Sequence, residues 1–123
     1  MGKRVLVVDD SASIRQQVAA ALRDGGFEIL EAVDGQEALD RLQADPAIAA
    51  VLCDVNMPRM NGLELLDKLV ANGRLPQLPV VMLTTEGQPA LMQRAKAAGA
   101  KGWIVKPFKP PLLLATLQRI TGC

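Results

Sequence analysis

Short apolar runs recur along the chain and are separated by segments with helical spacing. Four of the runs are apolar on both faces, as in strands that are covered on both sides of a sheet. A fifth alternates at first and carries Glu28 and Glu31, which favours an edge strand. The five predicted strands are RVLVV from residue 4, FEILEA from 27, AAVLC from 49, PVVML from 79 and WIV from 103.

Apolar residues three or four positions apart lie between the runs and predict five helices. Their positions are Ile14, Val18 and Leu22; Ala38 and Leu42; Leu63, Leu66 and Val70; Leu91, Ala95 and Ala98; and Leu113, Leu117 and Ile120. DGQE at 34–37 and NGLE at 61–64 resemble capping boxes, and Pro89 and Pro110 suit first helical turns. Because β→α→β crossovers are right-handed, this (βα)5 chain is expected to form a doubly wound, open α/β fold with a parallel five-stranded sheet.

The size and charge of the chain narrow its class. With 123 residues it is long enough for one domain with a single core, so we predict one domain over residues 1–123. Lys and Arg total 14 and Asp and Glu 13, without a basic run, which indicates neither a nucleic-acid nor a membrane partner. The first apolar run is too short for a signal peptide or a membrane span, so we expect a cytoplasmic protein.

Residue types that are rare here limit the chemistry. The chain has no His, which excludes a His general base or a phosphohistidine of its own, so any His chemistry must come from a partner. Cys53 and Cys123 lack the spacing and the His ligands of a zinc site. We predict that Cys53 is a small buried hydrophobic residue and that Cys123 is a free thiol.

Charged and hydroxyl side chains follow four of the predicted strands at their carboxyl ends, where the ligand site of a doubly wound sheet lies. Asp9-Asp10 follow the first, Asp54 the third, Thr84-Thr85 the fourth and Lys106 the fifth. Neither GxGxxG nor GxxxxGK[ST] occurs, so a dinucleotide fold or a P-loop is not indicated.

The acidic residues in this set predict a bound cation. At about 5 Å and an effective dielectric constant near 20, each pair of carboxylates repels by roughly 3 kcal/mol. Oxygen ligands without His or thiolate favour Mg²⁺, which together with Lys106 would balance the three carboxylates. Such a site can accept a phosphoryl group on one carboxylate, forming an acyl phosphate.

Four segments, VLVVDDSASIRQ, CDVNMPRMNG, VMLTTE and GWIVKPF, resemble in order and spacing the signature segments of CheY-like response-regulator receiver domains. The resemblance covers essentially the whole chain and is nearest to the chemotaxis type. It implies the flavodoxin-like strand order 2-1-3-4-5 and a phosphoacceptor role for Asp54. It also implies a cis peptide between Lys106 and Pro107.

The same resemblance implies roles for the other residues at the strand ends. Its metal ligands are Asp9, Asp10, Asp54 and the backbone carbonyl of Asn56, and its phosphoryl contacts are Thr84 and Lys106. Trp103 occupies the place of an aromatic switch residue that follows Thr84, and Asn56 and Glu86 occupy the two positions that tune the lifetime of the phosphoryl group. Two positions depart from the usual pattern: Asn61 replaces a common Asp, and Thr85 a common Ala or Gly.

The function expected from this resemblance is that of a stand-alone response regulator, a signalling protein and not an enzyme acting on other substrates. A chemotaxis-type histidine kinase would be the phosphodonor. The downstream target, such as a flagellar motor or pilus component, would bind a monomer at the face formed by the fourth helix, fifth strand and fifth helix. A phosphorelay intermediate, a phosphate sink and an unphosphorylated adaptor remain open. A haloacid-dehalogenase-like phosphohydrolase is a distant alternative, because it needs DxD[TV] where this chain has Asp9-Asp10-Ser11.

Overall fold

The computed structural model describes residues 2–74 and 77–122, in which five strands and five helices alternate along the chain. The strands are β1 (Arg4–Val8), β2 (Glu28–Ala32), β3 (Ile48–Cys53), β4 (Val80–Thr84) and β5 (Gly102–Val105). The helices are α1 (Ala12–Arg23), α2 (Gly35–Ala44), α3 (Gly62–Ala71), α4 (Pro89–Ala97) and α5 (Pro110–Thr121). The predicted (βα)5 order is therefore confirmed.

The five strands form one parallel sheet in the order β2-β1-β3-β4-β5. This is the predicted flavodoxin-like order, and β2 lies at an edge as its two Glu residues indicated. The prediction that β5 is covered on both faces is wrong, because β5 forms the other edge and none of its residues is fully buried. At the centre of the sheet Val8 of β1 is in register with Cys53 of β3. Asp9 and Asp54 therefore leave neighbouring strands side by side at the carboxyl edge.

Two apolar layers cover the sheet. Leu6 of β1 and Val51 of β3 pack on one face with side chains of α2 and α3, whereas Val5 and Leu52 pack on the other with α1 and α5. All five residues of β4 are buried. Burial of these aliphatic side chains on both faces supplies the main favourable free energy of folding and makes the sheet a firm support for the loops at its carboxyl edge.

The helix starts agree with the predicted caps. Asp34 accepts a hydrogen bond from the Glu37 N–H, Asn61 and Glu64 form a complete capping box, and Pro89 and Pro110 begin α4 and α5. The predicted apolar face of α3 is wrong at Val70, which is 49% exposed. The buried face of α3 runs instead through its Leu residues at 63, 65, 66 and 69.

Two further expectations concern single residues and the membrane. Cys53 is buried, as predicted, and is a free cysteine; burial raises the pKa of its thiol. Cys123 lies outside the described residues. None of the helices in residues 2–74 and 77–122 has the length and hydropathy that a membrane-spanning helix needs.

Candidate functional site

Three carboxylates converge at the carboxyl edge of the sheet. Asp9 follows β1, Asp54 follows β3, and each offers an oxygen within 4.8 Å of the others and of Asp10. Asp9 and Asp54 are buried and Asp10 is exposed, so the cluster is closed toward the core and open to solvent at Asp10. The Ser11 N–H donates to Asp9 Oδ1 at 2.9 Å and helps to hold that carboxylate. The fold thus brings together the three acidic residues that the sequence singled out.

Lys106 reaches the same cluster from the end of β5. Its Nζ donates to Asp9 Oδ2 at 2.6 Å and to Asp54 Oδ2 at 3.2 Å. Burial by itself would lower the pKa of Lys106, but the hydrogen bond to Asp9 and the charges of both carboxylates outweigh burial and raise that pKa above its usual value. Lys106 is therefore a fixed ammonium group. The peptide bond between Lys106 and Pro107 is cis, as expected.

The donor set of the cluster fits a hard divalent cation. The three carboxylates carry three negative charges and Lys106 offsets one, so a net charge of about −2 remains among closely spaced oxygen atoms. Carboxylate oxygens of this number, without thiolate or imidazole, suit Mg²⁺. Asp9, Asp10, Asp54 and the carbonyl of Asn56 are the groups that would hold it. When bound, Mg²⁺ would offset negative charge on transferring phosphoryl oxygens.

The loop after β3 places Asn56 beside Asp54. The Asn56 N–H lies 3.4 Å from Asp54 Oδ1, and the Gly62 N–H donates to the Val55 carbonyl at 2.9 Å. A Cβ at Gly62 would lie 2.2 Å from the Asp54 carbonyl oxygen, so the loop closes this tightly only because residue 62 is Gly. The capping box at Asn61 fixes the end of the same loop.

Thr84 lies at the end of β4 and is fully buried. Its hydroxyl accepts a hydrogen bond from the Glu86 N–H at 3.2 Å. Within the described part of the chain, this hydroxyl makes no hydrogen bond with Lys106 or with the acidic cluster. The Glu86 carboxylate in turn accepts from Asn56 Nδ2 at 2.9 Å. The two predicted lifetime-tuning residues, Asn56 and Glu86, therefore contact each other directly, which the sequence did not indicate.

Trp103 lies on β5 in register with Met82 of β4. Its side chain packs against the core layer on the α2–α3 face and stays partly exposed, and its indole N–H donates to the Glu86 carbonyl at 2.9 Å. The polar atom of the indole is thus hydrogen bonded within the protein. Beside it a groove of about 390 Å³ lies between α4 and β5; Gly102 lines this groove. Glu86 links Trp103 to Asn56 and Thr84 by hydrogen bonds.

Two arginine residues near the site were not identified from the sequence. Arg15 of α1 donates to the Asp9 carbonyl at 2.7 Å and pairs with Glu31 at 2.8 Å. Arg59 pairs with Asp34, for which the sequence predicted only a capping role. No local pattern reveals either pair, because the partners are distant in the sequence.

Residues 5–118 match the protein-family model described as the response regulator receiver domain. The chain belongs to this family. The receiver domain is 41% identical over 120 residues to chemotaxis protein CheY1 of Helicobacter pylori, covering 97% of each chain. It is 41% identical to a chemotaxis protein CheY homolog of Campylobacter jejuni, covering 97% of this chain and 92% of that one.

A solved structure gives the same result. The receiver domain superimposes on Vibrio cholerae chemotaxis protein CheY4 with a TM-score of 0.89 and 46% identity, covering 98% of this chain and 99% of that one. The identification from the sequence is confirmed at this level: the chain is a CheY-like receiver domain of two-component signalling, similar to chemotaxis response regulators. The distant phosphohydrolase alternative receives no support from these relatives.

Proposed function

We propose that this receiver domain is a stand-alone response regulator in which Asp54 accepts a phosphoryl group from phosphohistidine of a partner kinase. The observation that carries the proposal is the position of Asp54, whose carboxylate lies beside Asp9 and 3.2 Å from the Lys106 ammonium. Asp54 is the member of the cluster at the end of the central strand β3, and its Oδ2 atom contacts the Lys106 ammonium. A chemotaxis-type histidine kinase is the proposed donor.

The proposed transfer is a displacement at phosphorus. An Asp54 carboxylate oxygen attacks the phosphoryl group, the P–N bond to the kinase imidazole breaks, and an acyl phosphate forms. Lys106 is placed to offset charge on the phosphoryl oxygens, and the buried Thr84 hydroxyl is the proposed donor to another of them. Hydrolysis by water later restores the carboxylate and releases phosphate. Asn56 and Glu86, which are hydrogen bonded to each other, are the proposed controls on access of that water.

The proposed output is binding of a target protein to the face formed by α4, β5 and α5. Met92 of α4 and Val105 of β5 are exposed apolar side chains on these elements, and Trp103 borders the groove between them. Movement of Thr84 toward a phosphoryl group would break its hydrogen bond with the Glu86 N–H. The indole of Trp103 is hydrogen bonded to the carbonyl of Glu86. A shift of the Glu86 segment would therefore move Trp103 and change the groove between α4 and β5.

The names of the similar proteins support a proposal for the biological setting. The similar proteins from three bacteria are named as chemotaxis proteins, so we propose a chemotaxis-type role with a flagellar motor or pilus component as target. We propose that the protein acts as a cytoplasmic monomer of one domain over residues 1–123, without a nucleic-acid or membrane partner. In this role it catalyses its own phosphorylation and dephosphorylation and does not act on other substrates.

Phosphorylation of Asp54 is tested by intact mass after incubation with acetyl phosphate. With MgCl₂ the wild type should gain the mass of one phosphoryl group, and with EDTA it should not, because the acidic cluster then lacks its balancing charge. Asp54→Asn should gain none. Asp40→Asn, which alters an exposed carboxylate on α2, is the matched control and should behave as wild type. No adduct on the wild type, or an undiminished adduct on Asp54→Asn, would overturn the proposal.

The switch is tested by the fluorescence of Trp103, the sole Trp of the chain. Binding of Mg²⁺ and beryllofluoride should change its emission, since displacement of Thr84 alters the Glu86 segment to which the indole is bonded. Thr84→Ala should bind beryllofluoride, as measured by fluorine nuclear magnetic resonance, with a much smaller emission change. An unaltered wild-type spectrum despite measured binding would show that Trp103 is only an anchor of β5.

A further inference from the structure

A strained turn lies in the loop between β3 and α3. The Met60 N–H donates to the Pro58 carbonyl at 2.7 Å, which closes a three-residue γ-turn centred on Arg59. The φ angle of Arg59 is 63°, in the left-handed region that residues other than Gly rarely adopt. A γ-turn with positive φ at its centre is the rare and strained form. Such a backbone persists only where its surroundings hold it.

The start of α2 holds this turn in place. Arg59 Nε lies 2.7 Å from Asp34 Oδ2 and Arg59 Nη2 lies 3.1 Å from Asp34 Oδ1, a two-pronged ion pair. The Asp34 side chain is only 4% exposed and also accepts from the Glu37 N–H. A third bond joins the same segments, from the Gly35 N–H to the Met60 carbonyl at 2.9 Å. We call the ion pair of Asp34 with Arg59 the clamp.

The chemistry of both segments suits the clamp. A guanidinium group presents a planar fork that matches a carboxylate, which an ammonium group cannot do. Gly35 is required for the close approach, because a Cβ there would lie 2.7 to 2.9 Å from atoms of Met60. The hydrogen bond with Arg59 lowers the pKa of Asp34, so the carboxylate stays charged over the ordinary pH range.

The clamped turn belongs to the loop that carries two groups of the acidic site. Asn56 lies three residues before Arg59; its N–H faces Asp54 Oδ1, and its carbonyl is the proposed backbone ligand. The far end of the loop is already fixed by the capping box at Asn61. The stretch between Asp54 and Asn61 is therefore held at both ends by the sheet and α3, and in its middle by the clamp.

We propose that the clamp positions the divalent-cation site: Arg59 and Asp34 hold the β3–α3 loop so that the Asn56 carbonyl and the Asp54 carboxylate face one ion. The inference rests on the proposed function, since it assigns a role toward that site. Arg59 is a positioning residue. It acts through the loop, and neither it nor Asp34 belongs to the cluster formed by Asp9, Asp10 and Asp54.

The sign of each substitution separates positioning from simple electrostatics. By Coulomb interactions alone, loss of the positive charge at residue 59 would remove a repulsion and strengthen cation binding, and loss of the negative charge at Asp34 would weaken it. Positioning predicts that both losses weaken binding. Groups that orient metal ligands typically change metal affinity by about tenfold or more when removed. The two variants should also be strongly non-additive, since each breaks the same pair.

The experiment is a titration of the full chain with Mn²⁺, followed by the electron paramagnetic resonance signal of the free ion, with competition by Mg²⁺. Arg59→Gly removes the ion pair while accepting the positive φ, and Asp34→Asn keeps a capping side chain for α2. Arg4→Ala is the control, because it breaks two ion pairs at the opposite edge of the sheet. Circular dichroism of each variant verifies that it is folded.

Both clamp variants should bind Mn²⁺ about tenfold more weakly than wild type, and the double variant should be no weaker than the weaker single one. Arg4→Ala should bind as wild type. Unchanged or tighter binding by folded Arg59→Gly would overturn the clamp and leave the proposed function intact. Failure of the wild type to bind Mn²⁺ or Mg²⁺ would overturn the proposed function, and the clamp with it.

Discussion

Replacement of Lys106 by Met removes the ammonium group that pairs with Asp9 and Asp54 and keeps a side chain of similar length. The two carboxylates are left facing each other in a part of the structure where they are 4% and 10% exposed. Without a bound cation, the folded state of Lys106→Met must hold unbalanced negative charge. We therefore expect a loss of stability that depends on divalent cations.

The magnitude follows from the two contact distances. At an effective dielectric constant of about 20, the Coulomb attraction is roughly 6 kcal/mol for the Asp9 contact at 2.6 Å and roughly 5 kcal/mol for the Asp54 contact at 3.2 Å. Desolvation of the three side chains cancels most of this, and removal of one partner from a buried pair destabilises by about 3–5 kcal/mol. Because Asp10 leaves the site open to water on one side, we expect about 3 kcal/mol in the metal-free protein.

Bound Mg²⁺ should recover part of this loss, because it neutralises the carboxylates and no longer meets repulsion from an ammonium group. A tenfold gain in Mg²⁺ affinity would return about 1.4 kcal/mol at saturation. The assay is urea unfolding followed by Trp103 fluorescence, once in EDTA and once in MgCl₂. Lys101→Met, at an exposed lysine before β5, is the control and should change stability by less than about 0.5 kcal/mol. Equal stabilities of wild type and Lys106→Met in EDTA, or a difference that MgCl₂ enlarges, would refute the reasoning.

Two further predictions concern backbone packing and pH. In chemical denaturation, Gly62→Ala should lower the free energy of unfolding by about 2 kcal/mol or more, because its Cβ would overlap the Asp54 carbonyl oxygen. Gly87→Ala is the control and should leave stability unchanged, because the space around Gly87 is open. Equal stability of the two variants would contradict this prediction. The hydrogen bond with Arg59 lowers the pKa of Asp34 in the folded state below the value near 3.8 of the unfolded chain. The ionised Asp34 carboxylate therefore stabilises the folded protein fully above the unfolded pKa, and this stabilisation is lost as the pH falls through the folded pKa. The stability difference between wild type and Asp34→Asn should therefore shrink as the pH falls below about 5 in acid titrations. A constant difference would show that protonation of this carboxylate is not coupled to folding.

The candidate site shows which contacts the local sequence can predict and which it cannot. Asp9, Asp54 and Lys106 were predicted to meet because each follows a predicted apolar strand, and parallel strands bring their carboxyl ends to one edge. Thr84 was predicted for the same edge, but its hydroxyl accepts a hydrogen bond from the Glu86 N–H. The conformation of the loop after β4 determines this partner. The indole of Trp103 is another such case, since its partner is a carbonyl 17 residues away in the sequence.

By itself, the sequence determined the alternation of strands and helices, the helix caps and the set of charged residues at the strand ends, because each depends on neighbours within a few positions. Tertiary structure alone decided which long side chains pair across the loops. The strained turn at Arg59 carries no sequence signal, because its stability comes from Asp34, 25 residues earlier, and from the close approach of Gly35. Contacts of this kind require β1 and β3 to lie side by side in the sheet, and they hold the loop on which the Asp54 site depends.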